Sequence, residues 1–176
     1  MKKLIILIVL IGVTLGAPLI SQQQAEAELP KYTPEQRWER ASSQVTVSFV
    51  ASIAYAKSMG QSAEQLGEYI AKLFSPGWGE PGSGTLNIIR GVNRNFMMFT
   101  KSEFEITESS DVSVTGRSNR PWARYFGEDK TWYGVTLEEF DTVMMVFHSL
   151  LAEYLGLEFK YEIKDDWLYM TFSQKK

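Results

Sequence analysis

The sequence predicts an α+β domain in which helices pack on one face of a roughly four-stranded antiparallel sheet, in the order ααα-ββ-α-ββ. Three observations carry that expectation. Four segments repeat apolar residues at three- and four-residue steps behind recognisable helix starts. At the C-terminal end, Leu157, Phe159, Tyr161 and Ile163 alternate with charged neighbours, which gives a strand one dry and one wet face. A shorter alternation at 104–114 supplies a second hairpin, and helices can cover one face of the sheet so formed.

Taken in order, the first 27 residues read as a signal peptide. Met1-Lys2-Lys3 is basic, residues 4–15 are almost unbroken apolar, Pro18 ends any helix, and a polar stretch closes on Ala25-Glu26-Ala27. Small residues at the last and third-last positions are what a signal peptidase admits, so cleavage is expected after Ala27 and the product is expected in the periplasm or outside the cell. The apolar run falls short of the about 20 residues that a membrane span needs, so no span is expected after processing; an uncleaved anchor is the alternative. Residues 28–33 read as a linker, and 34–176 as a single α+β domain.

Within the domain, Thr33-Pro34-Glu35-Gln36 has the form of a helix start, and Trp38, Val45, Phe49, Ile53 and Ala56 give the helix an apolar stripe as far as Met59. Ser62-Ala63-Glu64-Gln65 repeats the pattern and opens a second helix, with Leu66, Tyr69, Ile70 and Leu73 expected on its buried face. A loop rich in Gly and Pro follows at 75–84, then a third helix at 85–96 with Leu86, Ile89 and Val92 or Asn93 inward. The first hairpin has Phe104 and Ile106 on one strand and Val112 and Val114 on the other. Thr136-Leu137-Glu138-Glu139 starts the fourth helix, whose stripe runs through Leu137, Phe140, Met144, Phe147, Leu151 and Leu155 to a stop at Gly156. In the last hairpin, a two-residue turn at Asp165-Asp166 would place Leu168, Met170 and Phe172 on the dry face; a three-residue turn would reverse them.

Composition narrows the function. The chain is mildly acidic, with a net charge of −3, which argues against a nucleic-acid partner. It has no cysteine and one histidine, His148, so no metal site and no cofactor is expected. Gly77-Trp78-Gly79-Glu80-Pro81-Gly82 matches a dinucleotide fingerprint in letters only: a helix precedes it, and Pro81 removes a backbone donor. That loop reads as a connector anchored by Trp78. The segment 117–133 is chemically denser, interleaving Arg117, Arg120, Arg124 and Lys130 with Trp122, Tyr125, Phe126, Trp132 and Tyr133. Guanidinium groups beside aromatic faces can seat an anionic group on an apolar ligand.

From 85 to 172 the layout resembles the small-molecule-binding domains named after 4-vinyl reductase, and their aminothiazoline-carboxylate hydrolase relatives. The features that carry the resemblance are a hairpin, a loop containing Phe126-Gly127, a long amphipathic helix, Leu155-Gly156-Leu157 and a closing hairpin turning at Asp165-Asp166. Those families use cysteines as nucleophile or metal ligand, and this chain has none, so the resemblance implies a hydrophobic pocket without that chemistry.

The leading expectation is an exported, non-catalytic domain that binds an apolar or amphipathic small molecule, which the arginines allow to be anionic, in a pocket between helices and sheet. Arg120, Trp122, Arg124, Trp132, Tyr133, Met144, His148 and Leu151 are its expected ligand contacts, with the 117–133 loop dominant. A structural or protein-interaction module of the cell envelope is the alternative. An acid–base enzyme pairing His148 with Asp141 is the second alternative.

Overall fold

In a computed structural model, which describes residues 29–175, two of the helix starts legible in the sequence close as hydrogen-bonded boxes. Ser62 Oγ accepts from the Gln65 N–H at 3.3 Å, and Gln65 Oε1 accepts from the Ser62 N–H at 2.9 Å. Thr136 and Glu139 repeat the exchange at 3.1 and 2.8 Å. Each box satisfies donors that a helix N-terminus otherwise leaves unpaired. The helices are α1 (Pro34–Ser58), α2 (Ala63–Phe74), α3 (Thr85–Phe96) and α4 (Leu137–Tyr154), with short 3-10 turns at Ser75–Trp78 and Ala123–Tyr125. Gly156, at φ +79°, takes the left-handed conformation that ends α4.

The strands are β1 (Phe104–Ser109), β2 (Ser113–Ser118), β5 (Leu157–Lys164) and β6 (Trp167–Gln174), in the antiparallel order β1-β2-β6-β5. A separate two-stranded ribbon pairs β3 (Thr131–Trp132) with β4 (Val135–Thr136). The architecture is α+β, as the sequence predicts. The closing turn has two residues, Asp165 and Asp166, both at positive φ, and Ile163 therefore faces Leu168. Leu168, Met170 and Phe172 then fall on the core face and are fully buried.

α3 and α4 lie on the sheet, while α2 packs on α4. One continuous core joins Val114, Leu168, Met170 and Phe172 of the sheet to Ile88, Ile89, Val92 and Phe96 of α3 and to Leu151 and Leu155 at the end of α4. Every described helix and strand belongs to the compact unit Pro34–Lys176. The expected signal peptide and its cleavage after Ala27 lie outside the described residues.

Four expected faces differ from those observed. α1 buries Ser42, Thr46, Val50, Ile53 and Ala56 and leaves Trp38 exposed. Its two buried hydroxyls are compatible with the interior because they are bonded: Thr46 Oγ1 donates to the Ser42 carbonyl at 3.1 Å, and Ser42 Oγ accepts from the Thr100 N–H at 3.0 Å. In α3, Ile88 turns inward with Ile89 and Val92, and Leu86 is exposed. In β5, Tyr161 and Ile163 are exposed although they share a face with buried Leu157, because β5 is an edge strand covered only at its beginning.

The largest difference is in α2. Its buried residues are Ala63, Gly67 and Ala71, not the large apolar row. Small residues every fourth position let the helix press onto α4: a Cβ added at Gly67 would lie 2.9 Å from Val146 Cβ and 3.0 Å from the Val143 carbonyl oxygen. With that seam used for packing, Leu66 and Ile70 are only half-buried, and Tyr69 and Leu73 remain 66% and 57% exposed.

Candidate functional site

The aromatic-basic segment 117–133 uses its polar groups on the protein itself. Arg120 donates from Nη1 to Asp141 Oδ2 at 2.8 Å and from Nη2 to Asp166 Oδ1 at 3.1 Å. Trp122 donates its Nε1–H to Asp141 Oδ1 at 2.8 Å, is fully buried, and stacks on Phe140 with ring centres 5.6 Å apart. Burial raises the Asp141 pKa above its ordinary value, while the bonds from Trp122 and Arg120 pull in the other direction. Arg124 binds Glu39 at 2.8 Å, bonds Thr100, and lies 4.7 Å over the Tyr125 ring. Tyr125, Trp132 and Tyr133 form a stack, with centroid separations of 5.6 and 5.5 Å. The segment is tied to the rest of the domain by these bonds.

A different group of side chains surrounds open space. A cleft of about 590 Å³ lies between α1, α2, the turn at Ser75–Trp78, the end of α3, and α4. One wall is Ser48, Phe49 and Ser52 of α1; the other is Leu66, Tyr69, Ile70 and Leu73 of α2. Phe74, Gly77, Trp78, Asn95 and Met98 surround one end, and Val143, Met144, Phe147 and His148 of α4 complete the lining. A second hollow of about 620 Å³ shares Ser52, Leu66 and Tyr69 and continues the seam between α1 and α2 towards Tyr55 and Gln61. Volumes of this size suit a small organic molecule.

Local structure explains why the cleft remains open. α2 meets α4 through its small-residue seam, so its large apolar row projects beside that contact rather than into it. At the far end, Trp78 packs against Gly91 so closely that an added Cβ would lie 2.5 Å from the ring. The same indole meets Phe147 edge-on at 5.8 Å. The lining contains no strand residue, so the cleft is not the expected pocket between helices and sheet; there the core side chains are packed together.

Of the expected contact residues, the structure brings only Met144 and His148 to this cleft. Leu151 and Trp122 are in the core, Arg120 is in the buried ion pair, and Arg124, Trp132 and Tyr133 belong to the bonded loop. Sequence reasoning missed Phe49, Leu66, Ile70, Trp78 and Met98 as lining residues. A signal for part of this was present in α2, where a small row at 63, 67 and 71 runs beside a large row at 66, 70 and 73. A helix with two such seams can pack through one and leave the other over.

The electrostatics of the cleft are simple. No Lys, Arg, Asp or Glu lines it. Ser48 and Ser52 donate to the carbonyls of Gln44 and Ser48, at 2.9 and 2.8 Å, so their protons are used within α1. His148 is 1% exposed, packs among Phe96, Phe147 and Phe159, and has no full hydrogen-bond partner at Nδ1 among the described residues. Burial lowers its pKa to about 4, outweighing a weak opposing attraction from the Met144 carbonyl. Asp141, its expected acid–base partner, is committed to Arg120 and Trp122. Among the described residues no cluster of His, Cys, Asp and Glu is placed to hold a metal ion, and no helix is long and apolar enough to cross a membrane.

Fold and cleft together define an α+β domain with an apolar cleft on its helical side. Comparison with protein-family profiles, with curated protein sequences and with solved structures finds no match in any of the three.

Proposed function

We propose that this chain is an exported domain that binds an apolar or amphipathic small molecule in the cleft between α1, α2 and α4. The observation that carries the reading is the unused apolar row of α2 facing Phe49 and Phe147 across open space. Such surface costs free energy when wet, and a ligand that covers it recovers roughly 25 cal/mol per Å². The tripartite first 27 residues support export, and N-terminal sequencing of periplasmic or secreted protein should begin at Glu28. The layout likeness to 4-vinyl reductase-type domains belongs to the same proposal, since it implies a hydrophobic pocket.

Titration with the uncharged dye Nile red tests the reading. Saturable binding to the wild type, lost in Ile70→Asp while the fold is retained, is the expected result. No binding to either protein would reject the cleft as a ligand site. A second reading, an envelope interaction module, is favoured by the exposed rim residues Tyr69, Leu73 and Phe74. It would gain ground if those positions controlled association with another protein and left dye binding unchanged.

A further inference from the structure

Resting on the small-molecule reading of the cleft, we propose that its ligand is an uncharged amphiphile: an apolar, preferably aromatic body carrying one hydroxyl or carbonyl group that hydrogen-bonds to His148. The lining separates this class from fatty acids, organic anions and cations. A carboxylate moved into the cleft would leave water without a lysine or arginine to receive it, and a cation would find no carboxylate. Arg120 and Arg124 do not alter this, because both are already paired, with Asp141, Asp166 and Glu39. The lowered pKa of His148 keeps the imidazole neutral near pH 7, so it offers a hydrogen bond and not a counter-charge.

A polar group on the ligand is required for a separate reason. Buried among rings, His148 Nδ1 makes no full hydrogen bond and has the Met144 carbonyl as its attraction, and a ligand hydroxyl or carbonyl bonded to the imidazole where it borders the cleft would offset that cost. The serine hydroxyls on the α1 wall do not compete for this role, since each already donates to a carbonyl one turn earlier. Asn95, the Trp78 indole N–H and the Tyr69 hydroxyl also line the cleft without a hydrogen bond among the described residues, but Asn95 and Trp78 are only half-buried and Tyr69 is exposed, so water can satisfy all three. The aromatic preference follows from Phe49, Trp78 and Phe147, whose faces and edges suit a flat ring system.

The test uses three molecules of one shape at pH 7: naphthalene, 2-naphthol and 2-naphthoate, each titrated against the full chain by its own fluorescence. The expected order is 2-naphthol tightest, naphthalene several-fold weaker and 2-naphthoate at least tenfold weaker than the alcohol. His148→Leu should retain naphthalene binding and lose the preference for naphthol, whereas Asn95→Leu should change that preference less than twofold. Naphthoate binding as tightly as naphthol in the wild type would overturn the proposal without any variant. A preference for naphthol that survives in His148→Leu would overturn the assignment to the histidine. Binding of none of the three would count against the cleft reading itself, a distinct failure. If His148→Leu does not fold, His148→Phe takes its place, since the site is already bordered by three aromatic rings.

Discussion

The loop at 117–133 and the cleft beside α2 contain side chains of similar kinds in opposite states. In the loop, arginines meet Asp141, Asp166 and Glu39, and the tryptophan N–H meets the same Asp141. In the cleft, a row of large apolar side chains and one imidazole nitrogen have little opposite them. A dense cluster of recognition-type residues identifies a binding site only when their bonding capacity is unspent. On the proposed function the loop acts on stability and the cleft on ligand affinity, and the expected effects of substitution separate along that line.

The largest expected effect lies in the loop's anchor. Asp141→Ala removes the acceptor for both Arg120 and Trp122 and leaves a buried guanidinium with only the partner at solvent-exposed Asp166. Breaking one side of a buried pair in this way costs about 3–5 kcal/mol, which urea denaturation would measure. Naphthol affinity, measured where the variant is still folded, should be nearly unchanged. A large loss of affinity with stability intact would place ligand contact in the loop and erase the contrast.

Next in size is an acid effect from the cleft. His148 titrates at about 4 in the folded protein against an ordinary 6.5. Between those pH values the unfolded chain holds a proton that the folded chain does not, so lowering the pH favours unfolding. The contribution is intact above about 6.5, declines as the pH falls, and is fully lost near 4. Its total is about 3 kcal/mol on the linkage relation. The rings of Phe96, Phe147 and Phe159 face the imidazole, and among the described residues no carboxylate pairs with it. Asp141 acts in the opposite sense, since a raised carboxyl pKa makes acid favour the folded state, but it is common to wild type and His148→Leu. Stability measured from pH 7 to 4 should fall more steeply in the wild type than in His148→Leu. Parallel curves would show that the imidazole is not held neutral by burial.

These two regions also show which parts of the structure a sequence can reveal. The boxes at Ser62 and Thr136 are local chemistry, and they occur as written. The two-residue turn at Asp165-Asp166 determines the inward face of β6 through the period of the strand. By contrast, which face of α2 is buried depends on a competition between Gly67 pressing on α4 and Leu66, Ile70 and Leu73 seeking cover. Hydrophobic periodicity marks both rows without ranking them. The roles in the loop were hidden for a similar reason. Arg120 and Asp141 are 21 residues apart, and only the fold turns two apparently available charges into one closed pair.

A smaller effect, on affinity alone, is expected at the far end of the cleft. Trp78→Ala should weaken naphthol binding by about 1–3 kcal/mol, the range for an aromatic contact at the centre of a site. Gly91→Ala should act in the same direction from outside the cleft, because its new methyl group would occupy the space of the Trp78 ring. Trp132→Ala is the matched control from the loop and should leave affinity unchanged. Fluorescence titration of the three variants would show whether one tryptophan or the other carries the contact.

The smallest effect is expected at Tyr133, where two opposing consequences nearly cancel. Tyr133 and Gly134 form the two-residue turn between β3 and β4, at φ +51° and +76°. A turn with both central residues at positive φ favours Asn-Gly, so Tyr133→Asn relieves a conformation that a bulky side chain adopts at a cost. The same change removes the ring stacked 5.5 Å from Trp132, an interaction worth about 0.5–1.5 kcal/mol. Tyr133 is exposed, so the stacking gain belongs at the weaker end and a net change within about 0.5 kcal/mol is expected. Affinity for naphthol should remain within twofold. A clear loss of affinity without loss of stability would mean that the exposed tyrosine meets the ligand, and the loop would then share the site now assigned to the cleft.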